Sequence, residues 1–195
     1  IFSLRQLFRD EQRKIANLIL KDSVSSAAAV YRTFFESQAP LIRFLNGLDI
    51  PVPNALKSAA EIALNNQLQQ ALDKPELDFE NIRGLLREAA SEKVTLDATT
   101  LEFKVRKRLE AEAAAFARDA SNFESAERMI KLLDLLPSLP FPVTLWEAQN
   151  LTYRPLLTAY QQNGWHDQNP DLPANQRHQE LQRLASQLHI SLPQV

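Results

Sequence analysis

The amino-acid sequence predicts an all-α protein, folded as an irregular antiparallel multi-helix bundle. Apolar residues recur at three- and four-residue spacing along most of the chain, which is the period of an amphipathic helix. The chain has 195 residues but only 3 glycines, too few for a β-rich fold with many tight turns. Its 11 prolines lie mostly at the edges of the helical patterns, where helices begin and end. Short connections between the helices favour antiparallel neighbours.

The composition limits the classes of function. Lys and Arg number 22 and Asp and Glu 24, so the formal net charge of −2 offers nothing general to nucleic acid or to an anionic membrane. Cysteine is absent, which excludes disulfides, thiolate nucleophiles and cysteine-based zinc sites. This composition suits a reducing compartment, and we expect a cytoplasmic protein. No apolar run reaches the roughly 18–20 residues of a membrane-spanning helix.

The first third of the chain predicts helical structure on both sides of a proline. Ser3 and Gln6 form a capping box that starts one long helix, or two nearly collinear ones. This helical stretch is expected to end before Pro40, because proline lacks the N–H that helix continuation needs. A short apolar helix over 41–45 follows and stops near Gly47. The chain begins with Ile1 and not with methionine, so we expect a segment cut from a longer protein.

The middle of the chain carries clear helix-start signals. One helix starts near Pro53, and Asp78 and Asp97 are the predicted N-caps of the next two. The body of the helix after Asp97 contains oppositely charged pairs at four-residue spacing, which predict a solvated face. These pairs neutralise the basic run 104–108, so a nucleic-acid surface is disfavoured there. The pairs are Glu102 with Arg106, Arg106 with Glu110, and Arg108 with Glu112.

The last third predicts further helices and one linker. We expect a single helical domain over 1–195, with the proline-rich segment 137–142 as the one candidate sub-boundary. The helices on either side of that segment are predicted over 123–136, 145–153, 155–162 and 174–188.

Motifs for catalysis are absent from the sequence. It has no His-Glu-x-x-His zinc motif, no glycine-rich nucleotide loop and no Gly-x-Ser-x-Gly nucleophile elbow. The 3 histidines, His166, His178 and His189, are expected to be surface residues without function. We therefore predict no catalytic residue, no metal and no cofactor in this segment.

Two carboxylates interrupt an apolar stripe on the first helix. Glu11 and Asp22 continue the spacing of Leu4, Ile15 and Leu18, so they are predicted to face the core. A buried carboxylate is costly unless it is paired, and a cation or a helix N-terminus is expected to meet each one. An acid–base pair is rejected, because eleven residues of helix separate them by about 16 Å.

The segment after Thr144 contains the candidate ligand-binding residues. An aromatic side chain flanked by carboxylate and amide groups is typical of a sugar-binding surface. It is equally typical of a helix that docks on its neighbours, with the tryptophan in the core and the amides bonded to loop backbone. Both interpretations stay open. The residues are Trp146, Glu147, Gln149, Asn150, Tyr153 and Arg154.

Three stretches carry a family resemblance. They are 2–11 (FSLRQLFRDE), 40–45 (PLIRFL) and 145–150 (LWEAQN). Together they resemble the uncharacterised C-terminal helical region of bacterial family-57-like glycoside hydrolases, described as α-amylase-like or α-mannosidase-like. The resemblance covers the chain from Ile1 to about Leu157. It implies a cytoplasmic protein of carbohydrate metabolism whose catalytic carboxylates lie in an upstream barrel-like domain.

The resemblance leads to our functional hypothesis. We expect a non-catalytic C-terminal accessory domain that docks on the upstream catalytic domain of the same polypeptide, with an α-glucan as a further candidate ligand. The alternative is a stand-alone helical module that binds a partner protein through an apolar surface. An exposed apolar patch of more than a few hundred Å² is expected on either hypothesis.

Overall fold

A computed structural model describes residues 9–120, 123–161 and 174–192 of the chain, without the side chains of 10, 21, 22, 161 and 174–177. The prediction of an all-α multi-helix bundle is confirmed. In the described ranges every regular element is a helix. The helices are α1 (Arg9–Gly47), α2 (Asn54–Asp73), α3 (Phe79–Ser91), α4 (Ala98–Arg118), α5 (Phe123–Leu133), α6 (Trp146–Gln161) and α7 (Ala174–Gln187), with a short 3₁₀ turn at Leu136–Ser138.

The chain divides into two compact units. The first comprises residues 1–67 and 87–96, and the second comprises 68–86 and 97–195. Helices α2 and α3 each supply residues to both units. The proline-rich segment 137–142 lies within the second unit. It includes the last two residues of the 3₁₀ turn Leu136–Ser138.

The second unit is built around α4. This helix packs against α5 and α6, and α7 packs against α5 and α6. Phe116 of α4 and Leu156 of α6 are completely buried, and their neighbours form one continuous apolar cluster. The strongly amphipathic α5 contributes Met129 to the same cluster. Burial of this apolar surface is what holds these helices together.

The core of the first unit comes from a few apolar positions. On α1, Ala28, Phe35 and Ile42 are buried and recur every seven residues, so they share one side of the helix. Small buried residues of α2 and α3 add to this core, among them Ala59, Ala60, Ala63 and Ala89.

The predicted helix boundary at Pro40 is wrong. Helix α1 is continuous from Arg9 to Gly47, with Pro40 inside it. A proline removes one intrahelical hydrogen bond and normally disfavours such continuity. Here Ala39 and Ile42, on either side of Pro40, are both buried, at 6% and 1% exposure. Their burial favours helical backbone through the proline, so tertiary packing outweighs the local preference.

The predicted caps in the middle of the chain are confirmed. The Asp78 carboxylate accepts a hydrogen bond from the backbone N–H of Asn81 at 3.0 Å. The Asp97 carboxylate accepts one from Thr100 at 3.1 Å. The Thr100 hydroxyl, and then its backbone N–H, lower the pKa of Asp97 below its ordinary value. Both caps therefore satisfy amides that the first turn leaves unpaired.

Candidate functional site

One side of α1 exposes a long row of apolar side chains. Large apolar side chains along it are solvent-exposed, from Leu20 at 59% to Phe44 at 62%. In heptad notation, the a and d positions of α1 are Leu20, Val24, Ala27, Tyr31, Phe34, Gln38, Leu41 and Leu45, and Leu48 continues the spacing in the turn directly after the helix. The g positions are Ser23, Val30, Ser37 and Phe44. We call these residues the uncharged face of α1, because none of them carries a charge.

The buried side of α1 lies next to this face. Ala28, Phe35 and Ile42 occupy e positions of the same heptad and supply the core of the first unit. One side of the helix is thus used for the fold while its neighbouring side is left in solvent. Charged residues occur elsewhere on the helix, for example the exposed pair Arg32 and Glu36 at 2.7 Å.

The predicted burial of Glu11 is wrong. Its side chain is 51% exposed and receives a hydrogen bond from Lys14, one turn along the same helix, at 3.0 Å. The reason is that the stripe it shares with Leu18 is not a core face, since Leu18 itself is 67% exposed. The side chain of Asp22 lies outside the described residues, so its burial stays a prediction.

The candidate ligand-binding segment begins α6 and divides between two sides of that helix. Trp146 is 67% exposed and Tyr153 is 49% exposed, so the interpretation that places Trp146 in the core is wrong. Glu147, Asn150 and Arg154 are also exposed. The buried side of α6 is formed instead by small and aliphatic residues, Ala148, Thr152 and Leu156.

Gln149 behaves as the docking interpretation expects. Its side chain is part-buried, and Nε2 donates a hydrogen bond to the backbone carbonyl of Leu188 at 2.9 Å. Leu188 follows the last turn of α7, where carbonyl groups lack intrahelical donors. Gln149 therefore joins α6 to the end of α7 and is not part of the exposed aromatic side.

Trp146 and Glu147 border an open pocket of about 560 Å³ in the second unit. Its other wall is a charged row on α4, made of Glu102, Arg106 and Glu110, with Lys107 and Thr144 at its edge. The predicted i,i+4 pairs are present in this row: Arg106 donates to Glu102 at 3.0 Å and to Glu110 at 3.1 Å.

These contacts favour the charged forms of Glu110 and Arg106. Hydrogen bonds from Lys107, and then from Arg106, lower the pKa of Glu110, while the bond to Glu110 raises the pKa of Arg106. Glu102 also accepts a hydrogen bond from the backbone N–H of Thr144 at 3.3 Å. The pocket thus places an exposed indole beside the carboxylates of Glu102 and Glu147. Carboxylate oxygens accept hydrogen bonds from polar ligands.

Sequence reasoning missed the contribution of α4 to this pocket. The charge pairs on that helix indicated a solvated face, which is correct, but spacing along one helix does not show which other helix lies beside it. The hydrogen bond between Glu102 and Thr144 joins residues 42 apart in the chain. Only the packing of α4 on α6 brings them together.

A second pocket, of about 360 Å³, lies in the first unit. It is lined by Ile42 and Asn46 of α1, by the connector around Pro51, and by Glu92 and Val94 after α3. The Nδ2 atom of Asn46 and the Oε2 atom of Glu92 are buried without a hydrogen-bond partner.

The described histidines do not form a site. His178 stacks on Tyr160, with ring centroids 4.6 Å apart, and His189 is exposed with a positive φ of 55°. His166 lies outside the described residues. Within the described ranges, no group of three histidine, aspartate or glutamate side chains is placed to hold a metal ion. Nor is any helix of those ranges long and apolar enough to cross a membrane.

Comparisons with known proteins give no relative. The chain matches no protein-family model, no curated protein and no solved structure.

Proposed function

We propose that this chain is a non-catalytic helical accessory domain of a larger, glycoside-hydrolase-like protein of carbohydrate metabolism. It docks through the uncharged face of α1 on the catalytic domain upstream in the same polypeptide. The observation that carries the proposal is the exposure of a long apolar face on a helix whose neighbouring side is already buried. The resemblance to the helical region of family-57-like enzymes supplies the identity of the partner.

The extent of this face supports docking. Eight large apolar side chains on it are about half exposed: Leu20, Val24, Val30, Tyr31, Phe34, Leu41, Phe44 and Leu48. At about 100 Å² each they offer on the order of 800 Å², where the largest apolar patch of a typical monomer is about 300–600 Å². A stable interface takes about 800 Å² from each partner. The face therefore has the size of an interface and exceeds ordinary surface variation.

The proposal is tested by hydrogen exchange along α1. We expect amides of residues 20–48 to exchange at least tenfold more slowly in a polypeptide that includes the upstream domain than in the 195-residue chain. Amides of residues 101–116 in α4 serve as the internal control, because this helix packs against α5 and α6 within the second unit. Equal exchange of residues 20–48 in the two proteins would reject docking through α1.

A second candidate function is contact with an α-glucan at the Trp146 pocket. It is favoured by one observation, the exposure of the indole beside the carboxylates of Glu147 and Glu102. A flat apolar ring packs against the face of a sugar, and carboxylates accept hydrogen bonds from its hydroxyl groups. A neutral ligand agrees with the pairing of Arg106 with Glu102 and Glu110 along the wall of the pocket.

Tryptophan fluorescence tests this second function. The chain has 2 tryptophans, so a Trp165→Phe variant leaves Trp146 as the only reporter. We expect maltooligosaccharides at millimolar concentration to shift its emission to the blue, and Glu147→Gln to weaken the response. A Tyr153→Ala variant is the control, since Tyr153 is exposed on the same helix but does not line the pocket. No response, in a protein that retains the upstream domain, would exclude glucan binding here.

A further inference from the structure

We infer that the element occupying the uncharged face of α1 is a single helix of the same polypeptide, with apolar residues at its own heptad positions. The inference rests on the proposed function and adds the kind of partner. Three properties of the face point to a helix: the spacing of its residues, their lack of charge, and its length.

The a and d positions of α1 have the spacing of a helix-packing seam, which is the strip of residues along which two helices contact each other. We call these positions the seam. From Leu20 to Leu45 the a and d positions alternate steps of four and three residues without interruption. An apolar repeat of this kind averages 3.5 residues, which keeps one side of a helix against one partner helix over many turns. A partner sheet or an irregular partner loop would not require apolar residues at this spacing along α1. The repeat therefore indicates a partner with the same period.

The repeat is separate from the positions that build the domain. Ala28, Phe35 and Ile42, at e positions, satisfy the core of the first unit. Tyr31 and Phe34, at a and d positions, remain 41% and 42% exposed. Folding of the described residues does not explain why the a and d positions are apolar. Packing of a further helix on these positions explains their apolar character.

The g positions define the chemistry of the partner. In most paired helices, charged e and g residues form ion pairs across the seam. Here the g positions include Val30 and Phe44, 69% and 62% exposed, and none is charged. A charged residue opposite them would lose its hydration without gaining a partner. The partner helix is therefore apolar along one flank of its seam as well as at its centre.

Gln38 is the one polar residue at the a and d positions from Leu20 to Leu45. Among the described residues, its Nε2 atom donates to the neighbouring Ser37 hydroxyl, at 3.3 Å, within α1 itself. A single polar residue in an apolar seam fixes the register of two helices, because burial without a hydrogen-bonding group opposite is costly. The partner helix accordingly has a polar residue at the level of Gln38.

The length of the face matches one partner helix. The last of the a and d positions inside α1 is Leu45, 25 positions after Leu20, which corresponds to about 38 Å at 1.5 Å per residue. Helix packing of that length, with the exposed area of about 800 Å² given above, reaches the size of a stable interface. A pair of shorter helices would interrupt the seam at their junction, whereas the apolar repeat of α1 is continuous.

Cysteine accessibility tests the inference in the intact polypeptide that includes the upstream domain. The segment has no native cysteine, so single cysteines can be placed along α1. Val24→Cys and Tyr31→Cys report on the seam, and Ser25→Cys and Arg32→Cys are matched controls at exposed b positions one residue away. The rate of maleimide labelling at each cysteine is followed by mass spectrometry. Labelling of the unfolded protein in denaturant gives the reference rate for each cysteine.

We expect at least tenfold slower labelling at the seam positions than at their b-position neighbours. Fast labelling at all four positions would reject the proposed function together with this inference. Slow labelling at all four would leave docking intact but reject a single helix along the seam. Protection at the seam that disappears on dilution, together with a dimeric mass, would identify a second copy of the chain as the occupant and reject the intramolecular helix.

Discussion

The Nε atom of Arg43 donates a hydrogen bond to Oε1 of Glu92 at 2.7 Å, joining residues 49 apart in the chain. The Glu92 side chain is fully buried, while that of Arg43 is 56% exposed. The bond to Glu92 is the main cause that raises the pKa of Arg43, so the guanidinium stays charged at every accessible pH. Within the first unit, this contact fixes α1 against the residue that follows α3.

Removing Arg43 leaves a buried carboxylate without its cation. We expect Arg43→Ala to lower the Tm by roughly 3–6 °C, because an unpaired buried charge is much less favourable than a paired one. Arg32→Ala is the matched control, since Arg32 and its partner Glu36 are both more than half exposed and such pairs contribute little. Equal Tm values for the two variants, measured by circular dichroism, would show that the Arg43 contact does not stabilise the unit.

Asp97 is predicted to make stability depend on pH. Hydrogen bonds from Thr100 hold its pKa below the ordinary value, so the carboxylate contributes stability above the unfolded pKa. That contribution is lost as the pH falls through the folded pKa. Asp97→Ala should cost about 0.5–2 kcal/mol at neutral pH, as for other helix N-caps.

Asp97→Asn is the control for this pH dependence. It keeps a capping oxygen but cannot titrate. Urea titrations give the unfolding free energies of the native chain and of this variant. The difference between the two should become smaller as the pH is lowered from neutrality into the acid range. If this difference in unfolding free energy does not change with pH, ionisation of Asp97 is not the cause of the pH-dependent stability.

Phe116 tests the core of the second unit. It is completely buried in the cluster that includes Ala113 and Met129. We expect Phe116→Ala to destabilise the chain by about 3–5 kcal/mol, through lost burial and the cavity that remains. Phe103→Ala, on the same helix but 52% exposed, should cost less than about 1 kcal/mol. Chemical denaturation monitored by circular dichroism measures both, and similar losses would contradict the placement of α4.

The uncharged face of α1 should bind an apolar dye in the 195-residue chain. Dyes such as ANS fluoresce on exposed apolar surface. We expect Val24→Glu combined with Phe34→Glu to reduce ANS fluorescence by roughly half, because both side chains lie on that face. The pair Ser25→Glu and Arg32→Glu adds charge to the exposed b positions and should leave the signal unchanged. If both pairs reduce it equally, net charge and not the apolar face controls dye binding.

Local signals in the sequence predicted the local structure of the middle of the chain well. The caps at Asp78 and Asp97 depend only on residues one turn away, and the ion pairs of Arg106 lie four residues apart on one helix. Such interactions follow from helical geometry alone. They need no knowledge of which helix packs on which.

The errors arose where tertiary packing decides the outcome. Pro40 marks a helix end by its chemistry, yet burial of Ala39 and Ile42 favours continuation. Glu11 belongs to a periodic apolar stripe, but periodicity does not distinguish a stripe buried in the domain from one left in solvent. The exposure of Trp146 could not be predicted for a similar reason, because an amphipathic aromatic side chain fits a core and a surface equally well.

The uncharged face of α1 also has a consequence for biosynthesis. A polypeptide emerges from the ribosome N-terminal part first, at about 5–20 residues per second, and its domains generally fold as units in that order. With its proposed partner upstream, α1 leaves the exit tunnel when that partner has already been made. On the proposed function, the apolar side chains would be covered within seconds of synthesis and would have little time to aggregate. Permuting the gene so that this segment is translated first would reverse the order and leave α1 uncovered until the proposed partner followed.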